Sequence, residues 1–302
     1  MDVLRTPEDR FDDLPDYDFA PHYREVSAGD GTALRFHFLD EGPRDADPVL
    51  LLHGNPSWCY LYRRMIPGLV ERGHRVLALD LMGLGRSDKP VDPDVFTLAG
   101  HVDWMGQWLI GEDLERITLF CQDWGGTTGL CVVAQHPDRF ARIVASNTGL
   151  PEGQGVNKFM QDWLDFSQSL DELPIGALVN AGTSRELTPD EVAAYDAPFP
   201  DATYQASPKR FPLLIPVQPD NPGVVVTKAA WAVLERWDKP FLTAFGDQDP
   251  VAYKPGAHLQ LQKRIPGAAG QPHVVLDGPN HFIQEDAPEE LVEILDGFIR
   301  RG

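Results

Sequence analysis

Three residues that could do nucleophilic chemistry, Asp123, Asp249 and His281, each stand just past a short apolar run. Along the chain they give the order nucleophile, acid, histidine, an order used by catalytic triads built on parallel sheets. The run Ile117–Cys121 is followed by Gln122-Asp123-Trp124-Gly125-Gly126 and then by the helical stretch Thr127–Gln135. A strand, a sharp turn between small residues (Cys121, Gly125, Gly126) and a helix would raise one side chain into a site, and here that side chain is Asp123. A carboxylate that attacks saturated carbon leaves an ester, which water can cleave, whereas a serine alkoxide would leave an inert ether. The aspartate therefore favours alkyl transfer over peptide or ester hydrolysis. Its plain structural alternative is a helix N-cap, which selects the same residue type.

Two further turns supply the partners. His53-Gly54-Asn55-Pro56-Ser57-Trp58 follows the run Val49–His53, and its backbone and the amide of Asn55 offer donors to an anion near Asp123. The run Phe241–Phe245 ends in Gly246-Asp247-Gln248-Asp249-Pro250-Val251, and the last run is followed by Gly278-Pro279-Asn280-His281-Phe282. Asp249 is preferred to Asp247 as the acid because it lies where the chain has left the strand, while Asp247 suits a turn. Ala145-Ser146-Asn147-Thr148, after the fifth run, offers no carboxylate. His281 would act as base, with Asp249 orienting and stabilising its imidazolium. The backbone N–H groups near Asn55 and Trp124 would hold the oxyanion.

The elements that must position these groups read as an α/β fold, a mostly parallel central sheet with helices on both faces. The strand runs are Leu34–Leu39, Val49–His53, Arg75–Ala78, Ile117–Cys121, Arg142–Ser146, Phe241–Phe245 and His273–Leu276. Between the fifth and sixth, the chain from about Pro151 to Val226 turns Pro-rich with short amphipathic stretches, Lys158–Leu170 and Pro189–Tyr195. That pattern predicts an inserted helical cap at 151–227, with the core made of 1–150 and 228–302.

With 302 residues, 42% of them hydrophobic, the chain can bury a sizeable core, and a formal charge of −20 disfavours nucleic acid and anionic membranes. A small neutral substrate is indifferent to that field. Three cysteines, Cys59, Cys121 and Cys131, lie in apolar runs and suit a reducing compartment. The acidic start, broken by Pro7 and Pro15, lacks the pattern of a secretory signal, so a cytoplasmic location is expected. The histidines lack a metal-binding spacing such as H-E-x-x-H, and the proposed chemistry needs no metal or organic cofactor.

The motifs HGNPSW, DLMGLGRSDKP (Asp80–Pro90), QDWGG, GDQDPV and NHFIQEDAP resemble those of haloalkane dehalogenases of the α/β-hydrolase superfamily, over about Phe19 to Phe298. The resemblance is to the subfamily with its acid after the sixth strand. It implies Asp123 as nucleophile, His281 as base, Asp249 as acid, and Trp124 as one halide ligand. A cap tryptophan is the second ligand in that subfamily, and Trp163 is its equivalent. Asn55 departs from the Glu often carried there and matches a sister subfamily that uses Asn for halide, so Trp163, Asn55 or both complete the site. Phe159 and Phe166 would wall an alkyl pocket or form the cap's own core. The implied partners are a small haloalkane and halide, with a monomer expected. Two rivals stand beside this reading. One is an epoxide hydrolase using cap tyrosines such as Tyr195 and Tyr204, and the other is a ligand-binding receptor on the same fold.

Overall fold

A computed structural model describes residues 1–301. Eight strands form the central sheet: β1 His22–Ser27, β2 Ala33–Glu41, β3 Pro48–Leu52, β4 Arg75–Leu79, β5 Ile117–Gln122, β6 Phe140–Ser146, β7 Phe241–Gly246 and β8 Val274–Leu276. Their order across the sheet is β8-β7-β6-β5-β3-β4-β2-β1. Only β1 with β2 and β2 with β4 pair antiparallel; the rest pair parallel.

Every residue of β3 (PVLLL), β5 (ITLFCQ) and β7 (FLTAFG) is buried, as expected of parallel strands covered on both faces. Helices α1 Met65–Glu71, α2 Leu98–Gly111 and α3 Trp124–Gln135 arise in the first half of the core. Between β6 and β7 come α4 Lys158–Ser169, α5 Ile175–Ala181, α6 Pro189–Asp196, α7 Ala206–Leu214 and α8 Gly223–Leu234. After β7 follow α9 Ala257–Arg264, the single turn α10 Ile283–Asp286, and α11 Pro288–Arg301. Helices α2, α3 and α8 pack as one layer, and α1 with α11 as another. In α11 the buried Leu291, Val292, Leu295 and Phe298 recur at helical spacing and form its inner stripe. No helix among the described residues is long and apolar enough to cross a membrane.

All seven expected strands are present, with ends moved by one or two residues. The strand missing from the expectation is β1, an edge strand whose sequence HYREVS has one buried residue and so little apolar signal. The helical excursion after β6 is present as well. Helix α8 starts at Gly223 and packs on α3, so position 227 lies inside that helix.

Parallel register brings the chemical residues together. Leu52 of β3 sits beside Cys121 of β5, so the turns carrying Asn55 and Asp123 leave the sheet side by side. Gly246 of β7 sits beside Leu276 of β8, so the turns carrying Asp249 and His281 do the same. All four emerge at the carboxyl edge, where neighbouring crossovers diverge and leave a crevice.

Candidate active site

Asp123 lies between β5 and α3 with φ 51° and ψ −125°. A non-glycine residue held at positive φ is strained, and the surroundings must enforce it. They do so by close packing. A Cβ on Gly125 would lie 2.1 Å from the Leu52 carbonyl oxygen, and one on Gly126 would lie 2.0 Å from Thr148 Oγ1. The Thr148 hydroxyl also donates to the Asp123 carbonyl at 2.7 Å. Although Asp123 occupies the N-cap position of α3, its side chain makes no capping bond. Instead, Oδ1 accepts the backbone N–H of Asn55 at 2.8 Å, and Oδ2 lies 3.5 Å from His281 Nε2.

His281 is buried, and its other ring nitrogen, Nδ1, is 3.0 Å from Asp249 Oδ1. Asp249 is fully buried and accepts the backbone N–H groups of Val251 (2.8 Å), Ala252 (3.1 Å) and Tyr253 (3.3 Å). Burial alone would raise its carboxyl, but His281 and these N–H groups outweigh that and hold it below the ordinary range. Burial likewise opposes charge on His281, yet Asp249 and then Asp123 overcome it and push the imidazole up to about 10. Asp247 is directed elsewhere, accepting from Gly278 N at 2.9 Å in the adjoining turn.

A cavity of about 760 Å³ opens in front of these groups. Its lining includes Asp123, Trp124, Asn55 and His281 from the core and Phe159, Trp163 and Phe166 from α4. Phe159 and Phe166 both keep an exposed side, and Ser167 is the only buried residue of α4, so this helix serves as a wall and not as a packed cap core. Asn55 reaches across to the cap. Its Nδ2 donates to the Pro208 carbonyl at 3.3 Å, leaving one amide hydrogen free, while Oδ1 is buried without a partner. Trp124 packs against Phe211 of α7, ring centres 4.9 Å apart and planes tilted by 57°. The tyrosines of the epoxide reading stand outside: Tyr195 is buried and donates to Glu285, and neither it nor Tyr204 lines the cavity.

Sequence reasoning passed over several residues that hold this arrangement. Asn147, set aside for lacking a carboxylate, donates to the carbonyls of Asn280 (2.8 Å) and His281 (3.1 Å) and accepts Gly246 N at 2.9 Å. It thereby ties the ends of β6, β7 and β8 together. Gln122, buried before the nucleophile, donates to the His281 carbonyl at 3.1 Å, with the same Nε2 3.3 Å from His281 Nε2. The cap grips the histidine loop as well, since Phe282 N donates to Gly182 O, Ser184 Oγ to Gly278 O, and Asp286 accepts the N–H groups of Ser184 and Arg185. An Asn following a strand was the one signal available in advance; the others have none.

His37, Cys59 and Asp80 bring ligand-type atoms within 4.8 Å of one another in the buried core. The Asp80 carboxylate is already engaged by His37 Nδ1 (2.7 Å), Cys59 N (2.7 Å) and Arg86 N (2.8 Å), and Cys59 Sγ by the Tyr17 hydroxyl (3.1 Å). The group is a hydrogen-bonded strut beneath the Asn55 turn.

Residues 47–288 match the family model of the alpha/beta hydrolase fold. A haloalkane dehalogenase of Psychrobacter cryohalolentis is 50% identical over 300 residues, covering 99% of this chain and 98% of its own. The chain belongs to the haloalkane dehalogenases. Haloalkane dehalogenase 1 of Mycobacterium tuberculosis is 52% identical over 294 residues, 97% of each chain. Among solved structures, the tetrameric haloalkane dehalogenase DpaA of Paraglaciecola agarilytica superposes with a TM-score of 0.90 at 36% identity, covering 97% of each chain. In this chain Asp123 and the α4 residues Phe159, Trp163 and Phe166 line the same cavity.

Proposed function

We propose that this haloalkane dehalogenase uses Asp123 as nucleophile, His281 as base and Asp249 as the acid that orients it. The reaction is hydrolysis of a carbon–halogen bond to alcohol, halide and a proton. The observation that carries the assignment is the presentation of the Asp123 carboxylate, at positive φ and uncapped, into a cavity where one oxygen meets the Asn55 N–H and the other faces His281.

Since Oδ1 is held by Asn55, Oδ2 attacks. It bonds to carbon as the carbon–halogen pair leaves with the halide. Trp124 and Trp163 would supply indole N–H groups to that ion, as donors that never accept and carry no charge. The Asn55 amide, with one hydrogen engaged by Pro208, has a smaller share. Each preorganised donor is worth about 3 kcal/mol in the transition state. Phe159 and Phe166 would line the alkyl pocket.

In the second step, His281 takes a proton from water, whose oxygen adds to the ester carbon of Asp123. The backbone N–H of Asn55 meets the developing oxyanion. That of Trp124, the first residue of α3 and so without an acceptor inside the helix, would meet it too. Collapse expels the alcohol, restores the carboxylate and returns one proton to solvent.

We assign the core to residues before about 150 and after 222, with the cap between, and one chain as the functional unit, since all the groups named come from one chain. Light scattering of the purified protein tests the latter. For the reaction, 1-bromobutane and 1,2-dibromoethane should release bromide and acid in equal amounts, and styrene oxide should give no diol. His281→Phe should release about one bromide per active site and carry the alkyl adduct on Asp123 by intact mass and peptide mapping. An active wild type whose variant shows no adduct would overturn the covalent route.

A further inference from the structure

Behind the Asn55 turn, the carbonyl oxygen of Gly54 receives two donors: His53 Nδ1 at 2.8 Å and Ser57 Oγ at 3.0 Å. The backbone N–H of Leu81 donates to the other ring nitrogen of His53, Nε2, at 3.0 Å. A nitrogen that accepts a hydrogen bond carries no proton, so the ring is neutral with its hydrogen on Nδ1. Full burial favours the neutral form and holds the ring below its ordinary range, although Asp80 Oδ1 lies 3.7 Å from Nε2. Leu81 is itself fixed, because it follows Asp80, whose carboxylate is anchored by His37, Cys59 and Arg86.

A peptide group is planar, with its C=O and N–H pointing to opposite sides. The carbonyl of Gly54 belongs to the same peptide as the N–H of Asn55, which donates to Asp123 Oδ1. Two donors gripping the oxygen from behind therefore set the direction of the N–H in front. They also polarise it, as successive hydrogen bonds do. The fit leaves no slack, since a Cβ on Gly54 would lie 2.0 Å from Asp123 Oδ1.

We propose that His53, as its Nδ1–H tautomer, and Ser57 are positioning residues for ester hydrolysis, acting through the Gly54–Asn55 peptide on the Asp123 carbonyl oxygen. This rests on the roles given above to Asp123 and Asn55. The direction of the effect follows from charge. During alkylation the carboxylate loses negative charge, so a weaker Asn55 bond leaves that step unslowed. During hydrolysis charge grows on the same oxygen, so a weaker bond slows that step.

The test compares wild type, Ser57→Ala and His53→Gln with 1-bromobutane. Rapid quench should show a bromide burst of about one per site at a rate within threefold of wild type. Steady-state turnover should fall on the order of tenfold, with alkylated Asp123 accumulating. Equal slowing of both steps, or unchanged turnover, would overturn the proposal. His281→Phe run in parallel reports separately on the covalent route, because loss of its adduct would sink that reading and not this one alone. Should either variant fail to fold, ¹⁵N NMR of histidine-labelled wild type decides instead. A protonated Nδ1 and bare Nε2 at His53 support the proposal, and the opposite tautomer overturns it.

Discussion

The imidazole of His281 lies between two carboxylates, Nε2 3.5 Å from Asp123 and Nδ1 3.0 Å from Asp249, and in the proposed reaction only the first of these loses its charge. In the free enzyme both favour the imidazolium. In the proposed route, esterification of Asp123 would remove its share and make the ring a better proton acceptor at physiological pH, so alkylation would prepare the base for the next step.

Asp123→Asn removes that charge while keeping the shape of the side chain. We expect the His281 pKa, followed by imidazole NMR in both proteins, to lie about 1 to 3 pH units lower in the variant than in wild type, as when an opposite charge within hydrogen-bond reach is removed. A pKa that stays put would mean that Asp249 alone sets the basicity.

Trp124→Phe and Trp163→Phe each remove one of the indole donors proposed for the halide. Single-turnover halide release should slow about a hundredfold for each, and the double variant should lose nearly all activity. Asn55→Ala should cost less than either. A loss at Asn55 larger than at Trp163 would reverse the ranking of the second halide ligand.

Cap and core are joined by a buried ionic cluster. Arg63, which is fully buried, donates to Glu191 at 2.7 Å and to Glu285, while Arg185 and Tyr195 complete the group. Arg63→Met would leave Glu191 and Glu285 to share Arg185 as their one remaining cation and should destabilise the fold by about 3 kcal/mol in urea titrations. Burial raises the Glu285 carboxyl, but Arg63 outweighs this and holds it below the ordinary range. Its contribution is therefore present above the unfolded pKa of about 4.3 and is lost as pH falls through the folded value. The variant should unfold at a higher pH than wild type on acidification.

His101 of α2 is stacked between Phe96 and Phe211 with both ring nitrogens buried and unpartnered. Burial pushes its pKa down to about 3. The unfolded chain takes up a proton near pH 6.5 and the folded chain does not, so stability rises with pH up to that point. At pH 5 the penalty is about 2 kcal/mol relative to neutral pH. His101→Phe should remove it, and thermal melts at pH 5 and 7.5 should lie closer together in the variant. An unchanged gap would assign the acid sensitivity to other groups.

The sequence by itself determined seven of the eight strands of the sheet, the strand–turn–helix at Asp123 and the three residues of the proposed charge chain. Parallel strands buried on both faces must read as apolar runs, and ligand-facing residues must follow their carboxyl ends, so both are local signals. Asp123 could be read from Gly125 and Gly126, whose smallness marks the sharp turn. What only the tertiary structure decided was everything set by register between distant segments. Asn147 gathers three strand ends, Gln122 meets His281, cap residues 182–185 grip the histidine loop, and Leu81 sets the tautomer of His53. Apart from an Asn directly after a strand, none of these leaves a trace in the sequence, because a hydrogen bond between residues many positions apart depends on which strands lie side by side. That order, β5-β3-β4, is a property of the packed sheet and not of any stretch of chain.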